Sequence, residues 1–92
     1  MVSKMKNIVY MPDREKLISN ISKIHTTEMG IVRIKKNLNL DIDDVVDYCK
    51  MKILDKNCKI QVNGKNYYCE IDDLVITVSL YSYTIITAHF KK

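Results

Sequence analysis

Tryptophan is absent from these 92 residues, and there are only one proline, two glycines and one phenylalanine. With glycine confined to Gly30 and Gly64, no glycine-rich phosphate loop can form, and no GxSxG turn presents a serine nucleophile. No apolar run approaches the roughly 18 to 20 residues needed to cross a bilayer, and the opening MVSKMKN lacks the apolar core of a signal peptide. A cytoplasmic protein with no membrane partner is the expectation. The three cysteines, Cys49, Cys58 and Cys69, are odd in number and show no CxxC spacing, which argues against a disulfide framework and against zinc. They read as buried thiols. Neither a cofactor nor a metal is implied.

Apolar residues make up 47% of the chain and charged residues 28%, ordinary usage for a globular protein. A chain of this length builds one core, so residues 1–92 are expected to form a single domain, with 1–10 as a flexible N-terminal tail. The net charge of +4 is unevenly placed. Residues 1–36 hold eight Lys/Arg against three Asp/Glu, residues 37–57 three against five, and the remainder four against three. The basic excess of the first third points to a polyanion as partner.

After Pro12, Leu17, Ile18, Ile21 and Ile24 recur at helical spacing, predicting a first helix from about Asp13 to His25. In TTEMGIVRIKKNL, Thr26 or Thr27 is an N-cap, Glu28 suits the first turn, and Ile31, Ile34 and Leu38 share one face, leaving Arg33, Lys36 and Asn37 outside. In LDIDDVVDYCKMKIL, Asp41 is the expected N-cap, with Ile42, Val45, Val46, Cys49 and Ile53 facing inward and an end near Leu54.

From Cys58 the period changes to two. CKIQVNGKNYYCEI contains Asn63-Gly64, a strong hairpin signal, which as a two-residue turn sets Val62 opposite Lys65 and Lys59 opposite Tyr68. Asp72-Asp73 makes the next turn. Cys58, Ile60, Tyr67, Cys69, Ile71, Leu74, Ile76, Val78 and Leu80 then face the helices, and Lys59, Gln61, Asn66, Tyr68, Glu70, Thr77 and Ser79 face away. A three-residue loop at Tyr81 to Tyr83 sets Leu80 opposite Thr84, turning Ile86, Ala88 and Phe90 inward and His89 outward. A two-residue turn would bury His89 instead. The expected fold is α+β, with three N-terminal helices packed on one face of a four-stranded antiparallel meander and a polar face left open.

That face carries the candidate chemistry. A carboxylate base, Glu70, and an imidazole acid, His89, are the minimum pair for cleaving RNA through its own 2′-hydroxyl without metal. Lys59, with Arg33 and Lys36 from the second helix, would meet phosphate, Tyr68 and Tyr81 would stack bases, and Thr87 lies beside them. His25 and Thr26 form a second candidate site at the start of the second helix. The same residue types are also ordinary strand formers, so a binding module without catalysis is the alternative. Its partners would be RNA, a cognate protein, or a second copy meeting an open strand edge.

The segments IHTTEMGIVRIKKNL, DVVDYCK, NGKNYYCEI and ITVSLYSYTIITAHF together resemble the small bacterial and archaeal domain-of-unknown-function family 3781 over about residues 20–90, IHTTE and SYTIITAH being the specific parts. That resemblance implies no activity and no set of site residues. More distantly, helices followed by a four-stranded sheet are similar in order to the barnase, colicin and RelE-like ribonucleases, which include small toxins. In barnase-like members a strand glutamate and a C-terminal histidine do the chemistry, positions comparable to Glu70 and His89. No arginine follows Arg33 here, unlike the strand arginines usual in such enzymes.

Overall fold

The structure, a computed structural model, describes residues 13–91. The tail expected over residues 1–10 lies outside the described residues. Helix α1 spans Asp13–Ser19 and is followed by a 3-10 turn at Ile21–Lys23. The predicted single helix to His25 therefore stops six residues early. At its end the Ser19 hydroxyl bonds the carbonyls of Glu15 and Lys16, and the Asn20 amide also bonds that of Lys16. Side chains that satisfy the last carbonyls locally remove the reason to continue the helix. His25 lies instead in extended backbone, bridged in parallel to Thr84.

Helix α2 spans Glu28–Leu38, capped by Thr27, whose hydroxyl accepts from Gly30 N at 3.0 Å. It ends on Asn39 in the left-handed region (φ 53°), a position asparagine occupies at modest cost. Helix α3 spans Val45–Leu54. Its cap is Asp44, which accepts from Asp47 N at 2.9 Å, rather than the predicted Asp41. The helix begins where an aspartate can reach the amide three residues on while Val45 enters the core.

Strands β1 (Lys59–Asn63), β2 (Asn66–Ile71), β3 (Leu74–Ser79) and β4 (Ile85–Phe90) form an antiparallel meander in sequence order. The first turn is centred one residue later than predicted, at Gly64-Lys65: Asn63 pairs with Asn66, Gln61 with Tyr68 and Lys59 with Glu70. Only Gly64 takes positive φ (65°) there, the arrangement in which glycine alone needs the first central position. The slip moves the pairing by two positions in all, so each residue keeps its face. The Asp72-Asp73 turn forms as expected, with both residues at positive φ.

From Thr87 onward β4 has the predicted register: Thr77 pairs with Thr87, Ile76 with Ala88, Val75 with His89 and Leu74 with Phe90. Before it, a bulge pairs Val78 with Ile85 and leaves Ile86 as the extra residue. The bulge corrects the expectation that Ile86 turns inward, while Phe90 keeps the predicted pairing with Leu74. Ile85 is buried in place of Ile86, which is 44% exposed, and Phe90 at the last strand position is also exposed.

One core cluster forms between the layers. Leu17, Ile34, Leu38, Val45, Cys49 and Ile53 come down from the helices, and Tyr67, Cys69, Leu74, Ile76, Val78, Ile85 and Ala88 come up from the sheet. Each fully buried large aliphatic contributes about 1.5–3 kcal/mol relative to exposure. No described helix is long and apolar enough to cross a membrane.

Candidate nucleic-acid interface

The open face is ordered in rows across the four strands. One row runs Lys59, Glu70, Val75, His89, and the next runs Gln61, Tyr68, Thr77, Thr87. Glu70 and His89 thus share a row but stand on strands separated by β3, so their Cα atoms lie about 10 Å apart, two strand spacings. His89 is exposed, with Nδ1 3.4 Å from the Phe90 carbonyl. Thr77 is buried between Tyr68 and Thr87, both of which are half-buried.

Glu70 is not a lone carboxylate. Its Oε1 accepts from Lys91 Nζ at 2.8 Å. Lys91 follows β4 on the same side as His89, its backbone N–H bonded to the Asp73 carbonyl at 2.7 Å. The Lys91 hydrogen bond first, then the charges of Lys91 and Lys59, hold the Glu70 carboxyl below the usual carboxylate range, and Glu70 in turn raises Lys91. A base that gives up its proton so readily takes one up less well near neutrality. Sequence reasoning missed Lys91 because its role depends on a side chain reaching across an intervening strand.

Helix α2 closes the face along β4. Asn37 Nδ2 donates to the Ala88 carbonyl at 3.3 Å and approaches Thr87 Oγ1 at 3.5 Å. Beside Asn37, a groove of about 490 Å³ runs along the helix, lined by Glu28, Met29, Val32, Arg33 and Lys36 as well. Met29 and Val32 are 72% and 67% exposed. The Asn37–Thr87 contact therefore fixes to the β4 edge the side of α2 that also carries Arg33 and Lys36.

The second candidate site lies at the other end of the sheet. His25 is exposed, yet both ring nitrogens are engaged. Nδ1 is 2.8 Å from the Lys23 carbonyl and Nε2 is 3.1 Å from Thr84 Oγ1, which meets Ser82 Oγ at 2.8 Å. A carbonyl only accepts, so Nδ1 carries the proton of the neutral ring and Nε2 accepts from Thr84. Thr26 Oγ1 donates to the Ile85 carbonyl at 2.9 Å. IHTTE and SYTIITAH, distant in sequence, are joined by these contacts. Tyr81, 75% exposed in the β3–β4 turn, belongs to this end, away from Glu70, His89 and Tyr68.

The three thiols are buried as the sequence suggested. Burial pushes Cys49 up to about 12, and the hydrogen bond it shares with Cys58 raises Cys69 further still. The same bond lowers Cys58, aided by the Arg14 guanidinium. Arg14 also donates to the carbonyls of Cys58 (2.6 Å) and Asp55 (3.0 Å). Among the described residues, no group of three His, Cys, Asp or Glu side chains is placed to hold a metal.

The family described as "Protein of unknown function (DUF3781)" matches residues 18–89, and the chain belongs to it. No curated protein and no solved structure matches the chain, so the likeness of element order to ribonucleases gains no support.

Proposed function

We propose that this member of a family described only as of unknown function is a cytoplasmic RNA-directed binding module, taking single-stranded RNA across the sheet face and the flank of α2. The observation that supports the reading is the Asn37–Thr87 contact, which joins the helix flank that also carries Arg33 and Lys36 to the strand whose open side bears His89. Cations on the same protein surface as the Tyr68 and His89 rings suit a single strand, because phosphates follow the charges while bases lie on the rings. No arginine is aimed from the strands, and Glu70 is neutralised by Lys91, which favours holding RNA over cutting it.

Fluorescence anisotropy with a single-stranded RNA oligonucleotide, repeated across salt concentrations, tests this. Arg33→Glu/Lys36→Glu weakens binding and flattens the salt dependence by about 1.4 in log–log slope, two phosphate contacts at roughly 0.7 each. An unchanged slope refutes the assignment. The second reading, metal-independent cleavage of toxin type, is favoured only by Glu70 sharing a row with exposed His89. RNA cleavage in EDTA that disappears in both Glu70→Gln and His89→Ala would replace the binding reading with it.

A further inference from the structure

We propose that two copies of this chain pair antiparallel along β1, joining their sheets into one of eight strands about a two-fold axis at Gln61. The inference is independent of the RNA reading. It begins with the direction of the backbone groups. Just before β1, Cys58 turns away from β2: its N–H bonds the Asp55 carbonyl and its C=O accepts from Arg14. Alternate residues of a strand point their backbone groups the same way, so Ile60 and Val62 also present theirs outward. The hairpin agrees, because Asn63 and Asn66 close a two-residue turn as a hydrogen-bonded pair, which leaves Val62 and Ile60 in the outward-facing class. Nothing among the described residues bonds these groups.

The edge is self-complementary. With Gln61 opposite its symmetry mate, Ile60 faces Val62 of the second copy and Lys59 faces Asn63. The two Ile60–Val62 pairs each exchange two backbone hydrogen bonds, four in all, with β-branched side chains meeting on the helix side. The two Gln61 amides meet on the polar side, and no like charges are opposed. Val62, exposed for an apolar residue, gains cover.

The opposite edge explains why growth stops at two. On β4, Ile85 N–H bonds the His25 carbonyl, Ile85 C=O accepts from Thr26, and Ala88 C=O accepts from Asn37. An edge sealed by the chain's own residues cannot accept another β1, so the association is isologous and closed. So short a strand buries little area, which makes the dimer a weak one.

Sedimentation equilibrium of the full chain from micromolar to millimolar concentration tests the proposal. The wild type reaches a discrete dimer and nothing larger. Val62→Pro removes only an outward N–H, leaving the β1–β2 ladder and the thermal transition intact, and weakens the dimer roughly thirtyfold, the effect of losing two hydrogen bonds of ordinary net worth. Gln61→Lys and Gln61→Glu provide a second measurement: a mixture of the two associates more tightly than either alone. A wild type monomeric throughout, a series of higher oligomers, a Val62→Pro variant that associates like the wild type, or a mixture no tighter than its parts would each overturn the proposal.

Discussion

Replacing Gly30 by alanine ought to stabilise a helix interior by about 1 kcal/mol, yet here the structure requires the opposite sign. A methyl at Gly30 would overlap Thr26 Oγ1 and press on the Thr27 hydroxyl that caps α2. Thr26 could yield only by giving up its hydrogen bond to the half-buried edge of β4 at the Ile85 carbonyl. An acceptor left without its partner costs about 1–3 kcal/mol, so the net expectation is destabilisation of about 1 kcal/mol, or roughly 4–8 °C in Tm for a domain of this size. The decisive assay is a double-mutant cycle followed by urea denaturation and far-UV circular dichroism. In the wild-type background Gly30→Ala destabilises. In the Thr26→Ala background, with the hydroxyl gone and its cost already incurred, the same substitution stabilises by about the helix-propensity difference of 1 kcal/mol. Stabilisation in both backgrounds would refute the argument that Thr26 dictates glycine at this position.

Three further outcomes follow from the same contacts. The Glu70 carboxyl, followed by NMR titration, has a midpoint below that of an ordinary glutamate and moves back toward it in Lys91→Ala. Because its folded pKa is depressed, the pair's contribution to stability is present above the unfolded glutamate pKa and is lost as pH falls through the folded value, so Lys91→Ala flattens the acid limb of stability against pH. The Tyr67 phenol is fully buried against Tyr83 (ring centroids 6.4 Å apart), has no hydrogen-bond partner among the described residues, and is pushed by burial up to about 12. Tyr67→Phe is therefore neutral or stabilising by up to about 1 kcal/mol in urea denaturation, and a loss greater than that would reveal a bond to this hydroxyl. Alkylation by iodoacetamide under native conditions, mapped by mass spectrometry, modifies Cys58 before Cys49 and Cys69, since Arg14 and the Cys69 thiol favour its thiolate.

The helices and strands were largely legible because their signals are local. Ile34 and Leu38 recur at helical spacing, Thr27 stands where a cap must stand, and alternation from Cys58 onward assigns each β1 and β2 residue to its face even though the turn lies one residue later than expected. Helix α1 was overextended because apolar spacing continues through Ile21 and Ile24, while competition from Ser19 and Asn20 side chains ends the helix. The same limit applies to the candidate site. Glu70 and His89 could be placed on one face by counting pleats, since side-chain direction alternates residue by residue. Only the tertiary structure could place Lys91 on Glu70, Thr84 on His25, or Asn37 on Thr87, because each contact joins positions 21, 59 and 50 residues apart. It also decided the bulge at Ile86, where the strand changes phase to satisfy the core and the sealed edge together, a compromise between long-range contacts that no local periodicity encodes.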